Sequence, residues 1–295
     1  MNTKLKNLLY KDSVWAFILL MPNFLCFLMF LLIPLVASFI LSFTQWDLMT
    51  QIQRVGFANY VELFKDETFL KSLGNTIYFT FVSVPIGITI SLFLAMGLNQ
   101  CIKGMKIYRA TYFFPVIASM VAVALVWSWI YNPEFGLFNY FLSMIGIRGP
   151  KWLVSNEWAM PSIIITAIWK GLGFNMLLFL AGLQGIPKTY YEVADIDGAT
   201  WPHKFFYITL PLLSHVILFV VIISIINSFQ VFDFVYLMTY GGPSRSTSVL
   251  VFYLYQNAFR YFRMGYASSI AYAIFFLILF FTLTQFLLQK RRAVF

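Results

Sequence analysis

Tyr190-Tyr-Glu-Val-Ala-Asp-Ile-Asp-Gly-Ala-Thr-Trp-Pro-His-Lys-Phe-Phe-Tyr-Ile-Thr-Leu-Pro211 is a charged island between two long apolar stretches. Upstream, residues 158–187 carry one charge, Lys170; downstream, residues 205–232 carry none. Residues 190–200 suit a short helix. Trp201-Pro202 is expected to break it, because proline lacks an N–H and disfavours the helical region in the residue before it. A second short helix then leads into the next apolar stretch. Gly198 is expected to permit close backbone approach. Glu192, Ala194, Gly198, Ile208, Leu210 and Pro211 stand at fixed offsets: Glu-x-Ala, three residues, Gly, nine residues, Ile-x-Leu-Pro.

The rest of the chain makes this island exceptional. Hydrophobic residues form 61% of it and the mean hydropathy is +0.80, beyond an ordinary soluble domain. Charge-free windows run over 13–46, 72–102, 110–133, 205–232 and 264–289, beside the nearly charge-free 158–187. A membrane-crossing helix needs roughly 20 apolar residues, so each window supplies one. The fold class expected is an all-α integral membrane protein with six transmembrane helices, at about 14–43, 73–99, 110–131, 160–184, 207–236 and 266–289. The loop 187–211 falls between the fourth and fifth of them, and residues 1–295 form a single membrane domain. The first window is too long for a signal-peptide core and reads as a retained helix.

Basic residues gather at span ends, which explains the formal charge of +9 by orientation and not by nucleic acid binding. Lys4, Lys6 and Lys11 precede the first span. Lys103, Lys106 and Arg109 fill the turn after the second, and Lys290, Arg291 and Arg292 close the chain. Six spans put all three groups on one side, which positive-inside makes the cytoplasm, with both termini there. Residues 2–12 read as a basic amphipathic lead-in. Residues 134–157 carry Phe135, Leu137, Phe138, Phe141, Leu142 and Ile145 at helical spacing, a surface helix ended by Gly146 and Gly149-Pro150. Trp46, Trp152 and Trp158 are expected at the interface, as are Trp127, Trp129 and Tyr131. Cys26 and Cys101 read as small core residues, with no disulfide framework or metal spacing.

The spacing in the island resembles the EAA loop of the membrane subunits of ABC importers, with Val193 where the central alanine of that motif sits. Further segments resemble the carbohydrate-uptake class of these permeases, and the core of the larger maltose permease subunit in particular. They are Asn75-Thr76, Arg109 followed by Tyr112-Phe-Phe-Pro115, Trp127-Ser-Trp-Ile-Tyr-Asn-Pro-Glu-Phe-Gly-Leu-Phe-Asn139, Gly182-Leu-Gln-Gly-Ile-Pro187 and Thr239-Tyr-Gly-Gly-Pro243. The likeness covers most of residues 15–290. Two extra N-terminal spans and a large external domain of that subunit have no counterpart in the sequence.

The resemblance implies a permease in the bacterial cell membrane, paired with a second, homologous permease subunit. It also implies an ATPase subunit dimer bound below and an extracellular solute-binding protein delivering a sugar or oligosaccharide. Glu192, Ala194, Asp197 and Gly198 match the ATPase-coupling segment. No Gly-x-x-x-x-Gly-Lys-Ser/Thr is present, so nucleotide is expected on the separate subunits, and the chain is expected to hold no catalytic residue, cofactor or metal. Aligned through Pro187 and Pro211, the substrate-path positions implied are Trp169, Lys170, Gly171, Phe174, Ser224, Asn227, Ser228 and Val231. Aromatic rings suit the C–H face of a sugar, and amides and hydroxyls its OH groups. Ser224, Asn227, Ser228 and Val231 also share one helix face.

Lys170 stands about ten residues into its span, where a charge costs at least about 2.5–3.5 kcal/mol. It admits two readings: a cation for an acidic solute such as a uronate oligosaccharide, sialic acid or glycerol phosphate, or a structural contact to carbonyls or to the partner permease. Asp233 and His215 read as terminal polar groups of the fifth span. A secondary transporter would place carboxylates within spans and show twinned repeats. A membrane enzyme would cluster His, Asp or Glu. Neither pattern is present in the sequence.

Overall fold

The computed structural model describes residues 12–100 and 104–292, and the side chains of 15–100 and 104–287. The readings placed on Lys4, Lys6, Lys11, Cys101, Lys103, Lys290, Arg291 and Arg292, and on the lead-in, lie outside the described residues or side chains. The described residues are mostly helical with almost no sheet, and they divide into two compact bodies, residues 12–63 with 255–272 and residues 64–254 with 273–292.

The first body begins with α1, Trp15–Leu41, none of whose side chains is buried. Cys26, expected in a core, is exposed with the rest of it. The helix widens to a π-type turn over Leu28–Leu32, where the Ile33 N–H donates to the Leu28 carbonyl. Pro34 follows and has no N–H, so the ladder slips by one residue where a rung would be lost anyway. A two-stranded antiparallel hairpin comes next, β1 Thr44–Gln45 against β2 Gln53–Arg54, with Thr44 opposite Arg54 and Gln45 opposite Gln53. The buried Asn59 amide, on α2 (Ala58–Lys65), donates to the carbonyls of Ser42 (2.8 Å) and Thr44 (2.9 Å). Those carbonyls face away from any helical ladder and would otherwise be orphaned. Gly265 passes against the same strand: a Cβ there would stand 1.7 Å from the Thr44 carbonyl oxygen.

The second body contains the helices α3 Glu67–Leu98, α4 Met105–Ile117, α5 Met120–Ile130, α6 Leu137–Met144, α7 Ala159–Gln184, α8 Thr189–Ile196, α9 Trp201–Leu212 and α10 Ser214–Phe229. Asp66 caps α3, its Oδ1 accepting from the N–H groups of Thr68 (2.8 Å) and Phe69 (3.3 Å). The long helix α3 packs along α7 and α10, and α4 packs on α7. Two apolar clusters fill this body. One gathers Phe79, Trp127, Tyr131, Trp152, Ile163 and Phe252; the other gathers Leu92, Met176, Phe179, Leu183, Phe205 and Leu213.

Four described helices are long and apolar enough to cross a membrane: Trp15–Leu41, Glu67–Leu98, Ala159–Gln184 and Met264–Leu287, the last within α11 (Met264–Arg292). The third and fifth expected spans are not single helices. α4 and α5 meet at 98° and α9 and α10 at 69°, so the number reaches six only if each bent pair crosses as one. Ala118 and Ser119 have extended ψ of 141° and 134°, and Pro115 has already removed one rung of the ladder before them. In α9 a π-type turn over Phe205–Thr209 stands ahead of Pro211, as it does ahead of Pro34 in α1.

The expected helix after Pro133 is α6, ended as read by Gly146 at φ +76°. Its tryptophan neighbours correct the interface reading. Trp127, Tyr131 and Trp152 are buried and close on Phe138 at ring distances of 5.4–5.9 Å, whereas Trp129 and Trp158 stay exposed. Asn139 ties this region, donating to the carbonyls of Pro133 (2.9 Å) and Pro150 (3.3 Å) and accepting from the Trp152 indole N–H (2.7 Å). Asn139→Ala should cost about 1–3 kcal/mol, because it strands buried donors and acceptors. Thermal unfolding in detergent, followed by tryptophan emission, should show a lower midpoint and a red-shifted native spectrum from the freed Trp152; an unchanged midpoint would refute the tie.

Candidate functional site

Midway along α3 and α7, and at the last turns of α10, the second body holds a cavity of about 460 Å³. That is within the range of small-molecule sites. Its wall takes Phe79, Ser83 and Gly87 from α3, Met120 from α5 and Lys170, Gly171, Phe174 and Asn175 from α7. Ser224, Asn227, Ser228 and Val231 close it from α10 and just beyond. Seven of the eight path positions read from the sequence therefore meet at one cavity. Trp169 does not: it turns toward α5, edge-on to Trp127 at 5.4 Å, because one residue along a helix rotates a side chain by about 100°.

Four polar groups in this wall were missed, Ser83 on α3 among them. Asn175 donates to the Ser224 hydroxyl across the cavity at 3.4 Å, and Gln230 and Asp233 line it beyond the end of α10. Asn175 lies four residues after Gly171 on the same helix face, a spacing the pattern could have flagged. Asp233 looked like a span-end group because the sequence does not tell that α10 stops at Phe229 and that residues 230–234 line the cavity.

Lys170 is the half-buried cation of this wall. Its Nζ donates to the carbonyl oxygens of Pro115 (2.8 Å) and Ala118 (2.9 Å), with Val116 at 3.4 Å. These are the carbonyls that the break between α4 and α5 leaves without helical partners. Three residues on, Gly173 brings α7 against α4: a Cβ there would stand 2.2 Å from the Tyr112 carbonyl oxygen.

α7 ends at Gln184, and the turn Gly185–Lys188 leads into α8. The helix stops at Ile196, earlier than the expected break at Trp201-Pro202, and Pro202 opens α9 instead. The Ala199 N–H donates to the Ala194 carbonyl (2.8 Å) and the Gly198 N–H to the Asp195 carbonyl (3.1 Å), with Gly198 at φ +72°. This is a Schellman cap, and it explains the Ala-to-Gly spacing: Ala194 supplies the accepting carbonyl and Gly198 the left-handed residue. Gly198 is needed for its φ; no atom outside its own neighbourhood lies within 4 Å of where a Cβ would be. Glu192 and Asp197 are exposed, Asp195 pairs with Lys204, and Tyr191 turns inward to hydrogen-bond Thr209 (2.9 Å). Tyr190, Val193 and Ile196, three residues apart, form an exposed apolar stripe beside Trp201 and Tyr207. Ile196, at the end of the stripe, is 84% exposed.

A second cavity, about 740 Å³, is lined by Trp129 of α5, by α6 and by the loops on either side of α6, and touches neither helix that flanks α8, so it is set apart from the path positions.

A mostly helical chain with four described helices long and apolar enough to cross a membrane, and a short capped helix following one of them, fits the membrane subunit of a transporter. Residues 55–294 match the family described as binding-protein-dependent transport system inner membrane component, and the chain belongs to it. It is 35% identical over 277 residues to the arabinooligosaccharides transport system permease protein AraP of Bacillus subtilis, covering 93% of this chain and 88% of that one. It is 33% identical over 286 residues to the trehalose/maltose transport system permease protein MalF of Thermococcus litoralis, covering 96% of each. Among solved structures, a bacterial alginate ABC transporter in complex with its pentasaccharide-bound periplasmic protein aligns over 96% of both chains, with TM-score 0.84 and 25% identity.

Gly198→Ala should weaken the α8 cap by about 1–2 kcal/mol, the cost of a Cβ in the left-handed region. Amide exchange at Gly198 and Ala199 should accelerate while α7 is unaffected; unchanged exchange would show that the cap does not depend on glycine.

Proposed function

We propose that this chain is one permease subunit of an ATP-driven, binding-protein-dependent importer of a sugar or oligosaccharide. The observation that carries the reading is the cavity of about 460 Å³, walled by Phe174, Asn175, Ser224 and Asn227. Its aromatic face, amides and hydroxyls match what a saccharide presents, and α7 leads from it directly to α8. The sugars in the names of the relatives, arabinooligosaccharides and trehalose or maltose, agree with that chemistry.

In this reading residues 1–295 are a single transmembrane domain of six spans with both termini cytoplasmic, each bent pair crossing once. A second homologous permease pairs with it, and an extracellular solute-binding protein delivers the sugar. The segment around Glu192, Ala194, Asp197 and Gly198 docks in a cleft of an ATPase dimer, which covers the stripe of Tyr190, Val193 and Ile196. Nucleotide-driven closure of the ATPases moves α8 and, through α7, the wall of the cavity, so that two arrangements of the path alternate. ATP hydrolysis belongs to the ATPase subunits.

Two experiments test this. Asn227→Leu should cut sugar uptake by about tenfold, because it leaves hydroxyls of the solute unpaired at about 1–3 kcal/mol. Basal ATP hydrolysis and recovery of the complex should be unchanged; undiminished uptake would remove Asn227 from the path. With Cys26 and Cys101 replaced, cysteines at Gln51, Ser155 and Ser246 should react with an impermeant thiol reagent in intact cells, and cysteines at Lys106 and Thr189 should not. Labelling at Thr189 from outside would overturn the orientation and the ATPase contact with it.

A further inference from the structure

We propose that Lys170 is a positioning residue: it clasps the 98° bend between α4 and α5 to α7, and its donors are spent there, so the cavity takes an uncharged saccharide. The inference rests on the cavity being the solute path.

An ammonium has three N–H donors and no acceptor. Two of those donors make short bonds to Pro115 and Ala118, and the third points toward Val116. These carbonyls belong to the last turn of α4 and to Ala118, the first residue of the break. Ala118 and Ser119 are extended there, and in apolar surroundings an unpaired carbonyl is costly. The lysine settles two deficits together, its own buried charge and the freed carbonyls. Gly173 adds a second fastening one turn along α7, where the Tyr112 backbone approaches too closely for any side chain. α7 and the bend therefore move as one piece.

The consequence for the solute follows from charge. Among the described residues that line the cavity, Lys170 is the one cation and Asp233 the one anion. With the cation turned to carbonyls, a solute meets hydroxyls, amides and the Asp233 carboxylate. An anionic sugar would gain no partner and would face a like charge.

Two measurements on the assembled importer decide this. The first is the rate at which acetic anhydride acylates Lys170 in detergent, read by peptide mass spectrometry beside the exposed Lys106 and Lys188. Lys170 should react at least about tenfold more slowly, because the amine must first leave charge-assisted hydrogen bonds. Millimolar trigalacturonate should not slow it further, and neither should maltotriose. Acylation at the rate of Lys188, or selective protection by trigalacturonate, would overturn the proposal. The second is the distance between spin labels at Ile107 on α4 and Leu125 on α5. The distribution should be narrow in the parent protein and broaden in Lys170→Met; an unchanged distribution would also overturn it. If Lys170→Met does not assemble, the acylation rate of the parent protein still decides. The Asn227→Leu variant separates the two readings, since intact uptake there would end the path assignment and leave the clasp standing.

Discussion

Backbone carbonyls released where a helix breaks inside an apolar bundle must find donors, and much of this structure answers that need. A continuous helix satisfies itself; a bent one does not. At the break after Ile117 the donor is Lys170. Ahead of Pro34 and Pro211 the ladder widens by one residue so that the missing N–H falls where no rung is required. Past the fifth apolar segment, the loop 240–248 is held by the first turns of α3. Asn75 donates to the carbonyls of Arg245 (3.0 Å) and Ser248 (2.8 Å), Lys71 donates to Ser244 (2.7 Å), and the Thr76 hydroxyl accepts from the Leu250 N–H (3.0 Å).

These fastenings place the cavity. α7 contributes Lys170 and Gly173 to the bend on one side, and Gly171, Phe174 and Asn175 to the wall on the other. Roughly 20 Å along the same helix it reaches the turn before α8, at 1.5 Å per residue. One rigid element thus carries the polar wall, the clasp and the lead to the capped helix. At α8 the Schellman cap lets the chain reverse without loose ends, so the exposed stripe of Tyr190, Val193 and Ile196 is presented on a short rigid helix.

Much of this was legible from residues alone, and the failures have physical causes. Apolar length located the helices, since a span must be about 20 residues long whatever its neighbours are. Length cannot report a bend, because Ala118-Ser119 carries no breaker and Pro115 is tolerated within a helix. The offsets of Glu192, Ala194 and Gly198 marked the island. Gly198 was expected to serve close approach, whereas its positive φ is what the cap uses. The helix-face pattern of Ser224, Asn227 and Ser228 reached the cavity wall, and Trp169, one residue from Lys170, did not. Trp127, Tyr131 and Trp152 are buried, because ring-on-ring packing with Phe138 outweighs a place at a surface. Asn75 and the Gly-Gly-Pro segment were each noted, but a contact across some 170 residues leaves no local trace.

The proposed function requires a water-lined path along one face of α10, and single-cysteine accessibility measures that directly. In the assembled importer, with Cys26 and Cys101 replaced, cysteines at Ser224, Asn227 and Val231 should react with a small charged thiol reagent, which needs water to form the thiolate. A cysteine at Phe219, exposed on the chain but off that face, should not react, because a side chain turned to lipid has no water beside it. Reaction at Phe219 with silence at Ser224 and Asn227 would contradict the path and, with it, the role assigned to α7.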